Sequence, residues 1–254
     1  MSVKGLLDEF VLASRECLGE KLLGVYLHGS LSMGCFHPVK SDIDLLCVVN
    51  APLTYEEKEK YILEIIRLNE SAPEKGIEMS VVLDIHMKPF VHPAPYEMHF
   101  SCAHLENYKR DLKGTLSSLH GTDRDLAAHV TIINNYGKVL FGRATEDVFS
   151  VVSHKDYLDA LIYDIENAKE DILENPVYTS LSLCRVLAYV KDGKILSKKD
   201  GALWAIKNVD KEHAPVAESA LYAYLTGEDI GIEKQAAGEF AGYMLKRIKN
   251  LMNG

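Results

Sequence analysis

At 254 residues, with 47% hydrophobic and 26% charged, the chain has the makings of one large globular domain or two modest ones. A formal net charge of −9 disfavours broad nucleic-acid binding, which needs Lys and Arg to neutralise phosphates, and suits cationic partners instead. Five scattered cysteines, none in a C-x-x-C pair, fit neither a disulfide framework nor a zinc knuckle and are expected to be reduced and mostly buried. No apolar run approaches a membrane span, and the first residues mix charge into their apolar pattern unlike a signal peptide, so a cytoplasmic protein with no membrane association is expected.

In chain order, Leu6, Leu7, Phe10 and Val11 form an apolar stripe at helical spacing. "LLGVYLHGS" (Leu22–Ser30), "DIDLLCVVN" (Asp42–Asn50) and "IEMSVVLDI" (Ile77–Ile85) are short apolar runs bounded by Gly, Ser, Pro or Asn, and read as strands. Between the last two, Tyr61, Ile62, Ile65, Ile66 and Leu68 mark an amphipathic helix. Proline-rich "KPFVHPAPYE" reads as a loop or an edge, and "HVTIINNYGKVLFG" as a helix followed by a short strand or turn.

Beyond about Val151 only helical periodicity remains. Tyr157, Leu158, Leu161, Ile162, Ile165, Ala168 and Ile172 form one stripe, later stripes follow, and Gly193, Gly201 and Gly227 fall near the expected joins. A bundle of about five helices is expected. The fold class is α+β: an N-terminal domain over 1–152, a small mixed sheet with flanking helices, then a C-terminal helical bundle over 153–254.

The chemistry gathers on the strands. Asp42 and Asp44 are separated by one residue, so a strand projects both to the same side while Ile43 and Leu45 face the other. Two like charges in an apolar strand are costly unless a cation compensates, and Mg²⁺, a taker of hard oxygen ligands, fits. The plainer alternative is a strand end facing solvent. Glu78, again the polar member of an apolar run, adds a third acid. It would complete a cation site or serve as general base on an attacking hydroxyl, or it would pair with Lys75 or Lys40. Upstream, Gly29 permits close backbone approach to a phosphate, and Ser30 offers a hydroxyl and an N–H. Neither a G-x-x-x-x-G-K-[ST] loop nor a G-x-G-x-x-G motif occurs.

Gly29-Ser30, then Ser41-Asp42-Ile43-Asp44, then Glu78 on a third strand resembles the nucleotidyltransferase superfamily of the DNA polymerase β type. "LCRVLAYVKDGKILSKKDGALWAI" (Leu183–Ile206) and "DRDLAAHVTIINNYGKVLFGR" narrow this, because they resemble aminoglycoside adenylyltransferases of the spectinomycin/streptomycin kind over nearly the whole chain. The resemblance implies transfer of AMP from ATP to a drug hydroxyl, with Mg²⁺ held by Asp42 and Asp44 and Glu78 as base. It further implies that Gly29, Ser30 and Ser41 meet phosphates, that Arg185 and Lys198 (or Lys199) hold the triphosphate, and that Tyr224 lies near adenine. Asp171, Glu174 and Asn175 would receive the cationic aminocyclitol between the two halves of a monomer. Family members that also modify streptomycin carry a tryptophan in the stretch corresponding to "FSCAHLENY", where this chain has none, which points to the spectinomycin 9-hydroxyl. Transfer to another antibiotic or a protein hydroxyl, and a regulatory module that binds nucleotide without turnover, are the rival readings. His86, His92, His99 and His104 lack metal-ligand spacing, and His28 is expected only to buttress the Gly-Ser turn.

Overall fold

The computed structural model describes residues 1–228 and 231–253. The chain divides into two compact units, Met1–Tyr157 and Leu158–Gly254. Among the described residues no helix is long and apolar enough to cross a membrane.

The first unit opens with α1 (Val3–Leu18), whose N-terminus is capped by the Ser2 hydroxyl accepting from the Gly5 N–H at 3.1 Å. Strand β1 (Leu22–Leu27), the single turn α2 (Gly29–Ser32) and β2 (Ile43–Val49) follow. Helix α3 (Tyr55–Asn69) starts at a capping box in which the Thr54 and Glu57 side chains each satisfy the other's backbone N–H. It leads to β3 (Ile77–Leu83). Short elements come next: β4 (Ala94–Tyr96), β5 (Met98–Phe100), α4 (Leu105–Arg110), α5 (Leu112–Ser118) and β6 (Gly121–Asp123). The unit closes with α6 (Leu126–Tyr136), β7 (Lys138–Gly142) and α7 (Thr145–Val148).

Five strands form one sheet in the order β5-β3-β2-β1-β7, with β2 and β3 parallel and the other pairs antiparallel. The sheet is thus mixed, as the order helix–strand–strand–helix–strand leads one to expect. On its core side lie Leu6 and Phe10 of α1 and Tyr61, Ile62, Ile65 and Leu68 of α3, all buried with Val25, Leu45, Cys47, Met79 and Val81. The Tyr61 hydroxyl and Ser14 Oγ share a hydrogen bond of 2.7 Å inside this core, so the buried phenol keeps a partner. The proline-rich segment carries cis bonds at Lys88–Pro89 and His92–Pro93, and its end, β4, pairs with β6 in a separate two-stranded sheet.

Helix α8 (His154–Asp164) runs across the division. The second unit continues with α9 (Ala168–Glu174), α10 (Pro176–Asp192), α11 (Lys198–Asn208), α12 (Ala214–Thr226) and α13 (Lys234–Met252). Among the described residues these are six helices rather than about five. The extra one arises because the expected stripe from Tyr157 to Ile172 is broken after Asp164. Residues 165–168 close i→i−3 bonds, Ile165 N–H to the Ile162 carbonyl at 3.2 Å and Ala168 N–H to the Ile165 carbonyl at 3.1 Å. Ile165, Ala168 and Ile172 stay buried across the break, so apolar periodicity did not register it.

Gly193 and Gly227 stand at joins, each in the left-handed conformation that ends a helix (φ 67° and 77°). Gly201 does not. It lies inside α11, where a Cβ would come 2.9 Å from Cα and 3.0 Å from the backbone N of Arg185 on α10. Its missing side chain sets how closely the two helices approach.

Candidate active site

Strands β1, β2 and β3 are buried along their length except at chosen places. In β2 the second residue, Asp44, is only partly buried, and in β3 the second residue, Glu78, is the same. Parallel pairing sets these two directly opposite, with Asp44 partnering Glu78 and Ile43 partnering Ile77. Asp42, one residue before β2, joins them, and one carboxylate oxygen of each of the three lies within 4.8 Å of the others. Among the described residues this is the one such cluster of His, Cys, Asp and Glu able to surround a metal ion.

The donor set fits a small hard cation. Carboxylate oxygens are the hard ligands such an ion takes, and three of them within 4.8 Å of one another repel unless a positive charge lies between them.

The Gly-Ser turn sits against this cluster. The antiparallel register of β1 and β2 pairs Leu27 with Leu45 and ends on a hydrogen bond from His28 N–H to the Asp44 carbonyl at 3.0 Å. Gly29 therefore begins α2 beside Asp44. Its φ of +63° is a left-handed value, and a Cβ there would lie 1.7 Å from Asp44 Oδ2. Ser30 Oγ is buried with no hydrogen-bond partner, which is unusual enough to suggest a ligand oxygen as its missing partner. Ser41, buried before the strand, accepts from the His37 N–H through its Oγ at 3.1 Å, closing the loop that delivers Asp42. His28 is buried with its ring 4.6 Å from that of His129. Burial first, and the second imidazole next, hold its pKa well below the usual histidine value. It is neutral at pH 7.

In the second unit, Arg185 and Lys198 come together. Arg185 Nη2 donates to Asp164 Oδ2 at 2.8 Å, the Tyr178 hydroxyl donates to Asp164 Oδ1 at 3.1 Å, and Lys198 Nζ lies 3.4 Å from the centre of the Tyr178 ring. Burial penalises the Asp164 carboxylate, but Arg185, Lys198 and the Tyr178 hydrogen bond outweigh it, and its pKa lies below the ordinary aspartate value. Sequence reasoning missed Asp164 altogether; an aspartate within a helical stripe carries no signal of its partner 21 residues on. Tyr224 is buried with Leu181, Ala202, Ala220 and Leu221, so it packs as a core aromatic. Asp171, Glu174 and Asn175 are exposed at the junction of α9 and α10. Trp204, the sole tryptophan, donates from Nε1 to Asp192 at 2.8 Å within its own unit and stands outside the Phe100–Tyr108 stretch.

A small mixed sheet that presents a Gly-Ser turn and three acids from its central strands defines a nucleotidyltransferase domain, and residues 13–92 match that domain family. Residues 147–247 match the aminoglycoside adenylyltransferase C-terminal domain. The chain thus joins a nucleotidyltransferase domain to a segment matching the aminoglycoside adenylyltransferase C-terminal domain. It is 28% identical over 253 residues to an aminoglycoside (3'')(9) adenylyltransferase of Klebsiella pneumoniae, covering 97% of this chain and 95% of the relative. It is 24% identical over 246 residues to a spectinomycin 9-adenylyltransferase of Enterococcus faecalis, covering 93% and 92%. The crystal structure of the spectinomycin adenyltransferase AAD(9) from Enterococcus, with ATP and spectinomycin, matches with a TM-score of 0.84 at 22% identity over 98% of this chain and all of that one.

Proposed function

We propose that the protein transfers AMP from ATP to a hydroxyl of an aminocyclitol antibiotic, most directly the 9-hydroxyl of spectinomycin, and releases pyrophosphate. The observation that carries the reading is the pairing of Asp44 with Glu78 across adjacent strands, with Asp42 completing three carboxylates around one small volume. The matches to adenylyltransferases along nearly the full chain supply the acceptor class. The lack of tryptophan between Phe100 and Tyr108 favours spectinomycin over streptomycin.

Asp42 and Asp44 would hold Mg²⁺, which when bound neutralises charge on the triphosphate and on the departing pyrophosphate. Ser30, with its unpartnered hydroxyl beside Gly29, would take a phosphate oxygen, and Ser41 would support the same anion. Glu78 would accept the proton of the acceptor hydroxyl as its oxygen attacks the α-phosphorus and the bond to the bridging oxygen breaks. Arg185 and Lys198 would bind the triphosphate. Tyr224 would contribute from within its apolar cluster to the nucleotide's binding surface. Asp171, Glu174 and Asn175, exposed and acidic or polar, suit the amines of a cationic drug.

The test is product analysis. The purified protein, ATP and Mg²⁺ are incubated with spectinomycin, streptomycin and other aminoglycosides, and each drug is weighed by mass spectrometry. Spectinomycin heavier by one AMP is the expected result. AMP appearing on protein, with every drug unmodified, would overturn the acceptor assignment.

A further inference from the structure

We propose that Asp164 is a positioning residue for nucleotide binding: its carboxylate fixes the Arg185 guanidinium directly, and the Lys198 ammonium by way of the Tyr178 ring. The inference rests on the reading above that these two cations bind the triphosphate.

Three helices deliver the group. Helix α8 ends at Asp164, so the carboxylate stands where that helix gives way to a turn. Tyr178 and Arg185 lie seven residues apart on α10, about two turns, which puts both over the same face and lets one carboxylate take a hydrogen bond from each. Lys198 is the first residue of α11, whose start is fixed by Ser197, with the Ser197 Oγ accepting from the Asp200 N–H at 3.0 Å. Gly201, one turn further on, seats α11 against the Arg185 backbone. The sequence thus spends a cap, a glycine and an aspartate on placing two cations.

Stability alone does not account for the arrangement. Asp164 and Arg185 are both largely sequestered, with side chains 18% and 20% exposed, and α10 buries Leu181, Leu183, Cys184 and Val186 beside them. Well-packed apolar side chains would serve a core as well or better than such a pair. Asp164 stands between two cations, Arg185 and Lys198, and both hold its carboxylate ionised. A guanidinium carries five N–H donors in a planar fork, so a single carboxylate does not exhaust it. Held this way, Arg185 and Lys198 lose less side-chain freedom when a polyphosphate arrives.

The experiment is binding of ATP with Mg²⁺ to the full chain without acceptor, by titration calorimetry, together with the KM for ATP and kcat of drug modification. Asp164→Ala should weaken ATP binding about three- to thirtyfold, raising KM for ATP while changing kcat far less. Asp164→Asn, isosteric and able to keep the Tyr178 contact, should fall between wild type and Ala, and carries the test should the alanine variant not fold. In an Arg185→Ala background, Asp164→Asn should add little. Three outcomes overturn the proposal: unchanged ATP affinity with only a lower melting temperature, tighter binding on removal of the carboxylate, or fully additive effects in the double variant. A wild-type protein that binds no ATP would instead sink the nucleotide reading itself, and is seen before any variant is made.

Discussion

A side chain on Gly29 would take the place of the Asp44 carboxylate: a Cβ there would stand 1.7 Å from Oδ2. The glycine and the aspartate are 15 residues apart in sequence and adjacent in space because β1 and β2 pair antiparallel up to His28 and Asp44. The absence of a methyl group is therefore a condition for having an acid in that position. Gly29→Ala should cost about 1–2 kcal/mol through the left-handed backbone alone. By displacing Asp44 it should also lower turnover about a hundredfold, the scale expected when reacting groups move by an ångström. Thermal melting and steady-state rates check the two effects separately.

Gly201 poses the opposite balance. In an exposed helix interior, Gly→Ala would stabilise by about 1 kcal/mol. Here the new Cβ meets the backbone of Arg185 at 2.9 Å and 3.0 Å, which cannot rotate away, and overpacking of that kind costs about 1–3 kcal/mol. The expected result for Gly201→Ala is a lower melting temperature and weaker ATP binding. A more stable variant would show that α10 and α11 separate without penalty.

Thiol accessibility gives a third check. Burial raises the pKa of Cys17, raises that of Cys47 to about 11, and raises that of Cys184 to about 12, so these three stay protonated and covered at pH 8. Cys35 and Cys102 are partly exposed. Under native conditions an alkylating reagent should add twice, and in denaturant five times, as counted by intact mass.

Acid should weaken the fold before the carboxylates titrate. Burial, the first cause in each case, lowers the pKa of His28 well below its ordinary value and that of His99 to about 4. The unfolded chain then binds more protons than the folded one below about pH 6.5, so stability is full above that value and declines as pH falls. The His99 contribution is lost progressively down to about pH 4, where the folded ring also protonates. Melting temperature should fall between pH 7 and pH 4.5, and His99→Gln should flatten that slope. A flat wild-type profile would contradict it.

Much of the first unit was legible in the sequence because each polar residue of the site interrupts an apolar run: Asp44 and Glu78 break strands that are otherwise buried, and Gly29 follows a strand with no polar residue before His28. Helices α1 and α3 declared themselves by their stripes. The edge strands did not. β5 has three residues, and β7, expected only as a short strand or turn, is half-exposed, so pairing to β3 and β1 rather than local pattern settles them as strands. In the second unit the apolar stripe passed over the break between α8 and α9. Gly201 looked like a joint although it marks close helix packing. Asp164 acquires its role from a tertiary neighbour that no spacing rule connects to it.

The central claim is that Glu78 takes the acceptor's proton beside an intact site for nucleotide and metal. Glu78→Gln keeps the shape of the side chain and removes its basicity. Adenylylated spectinomycin and ATP binding should be measured on the same preparation. The account predicts loss of product by at least about a hundredfold, with ATP affinity in Mg²⁺ close to that of the wild type. Product formed at the wild-type rate, or ATP binding lost along with turnover, would contradict it, the second by showing that Glu78 serves the metal rather than the proton.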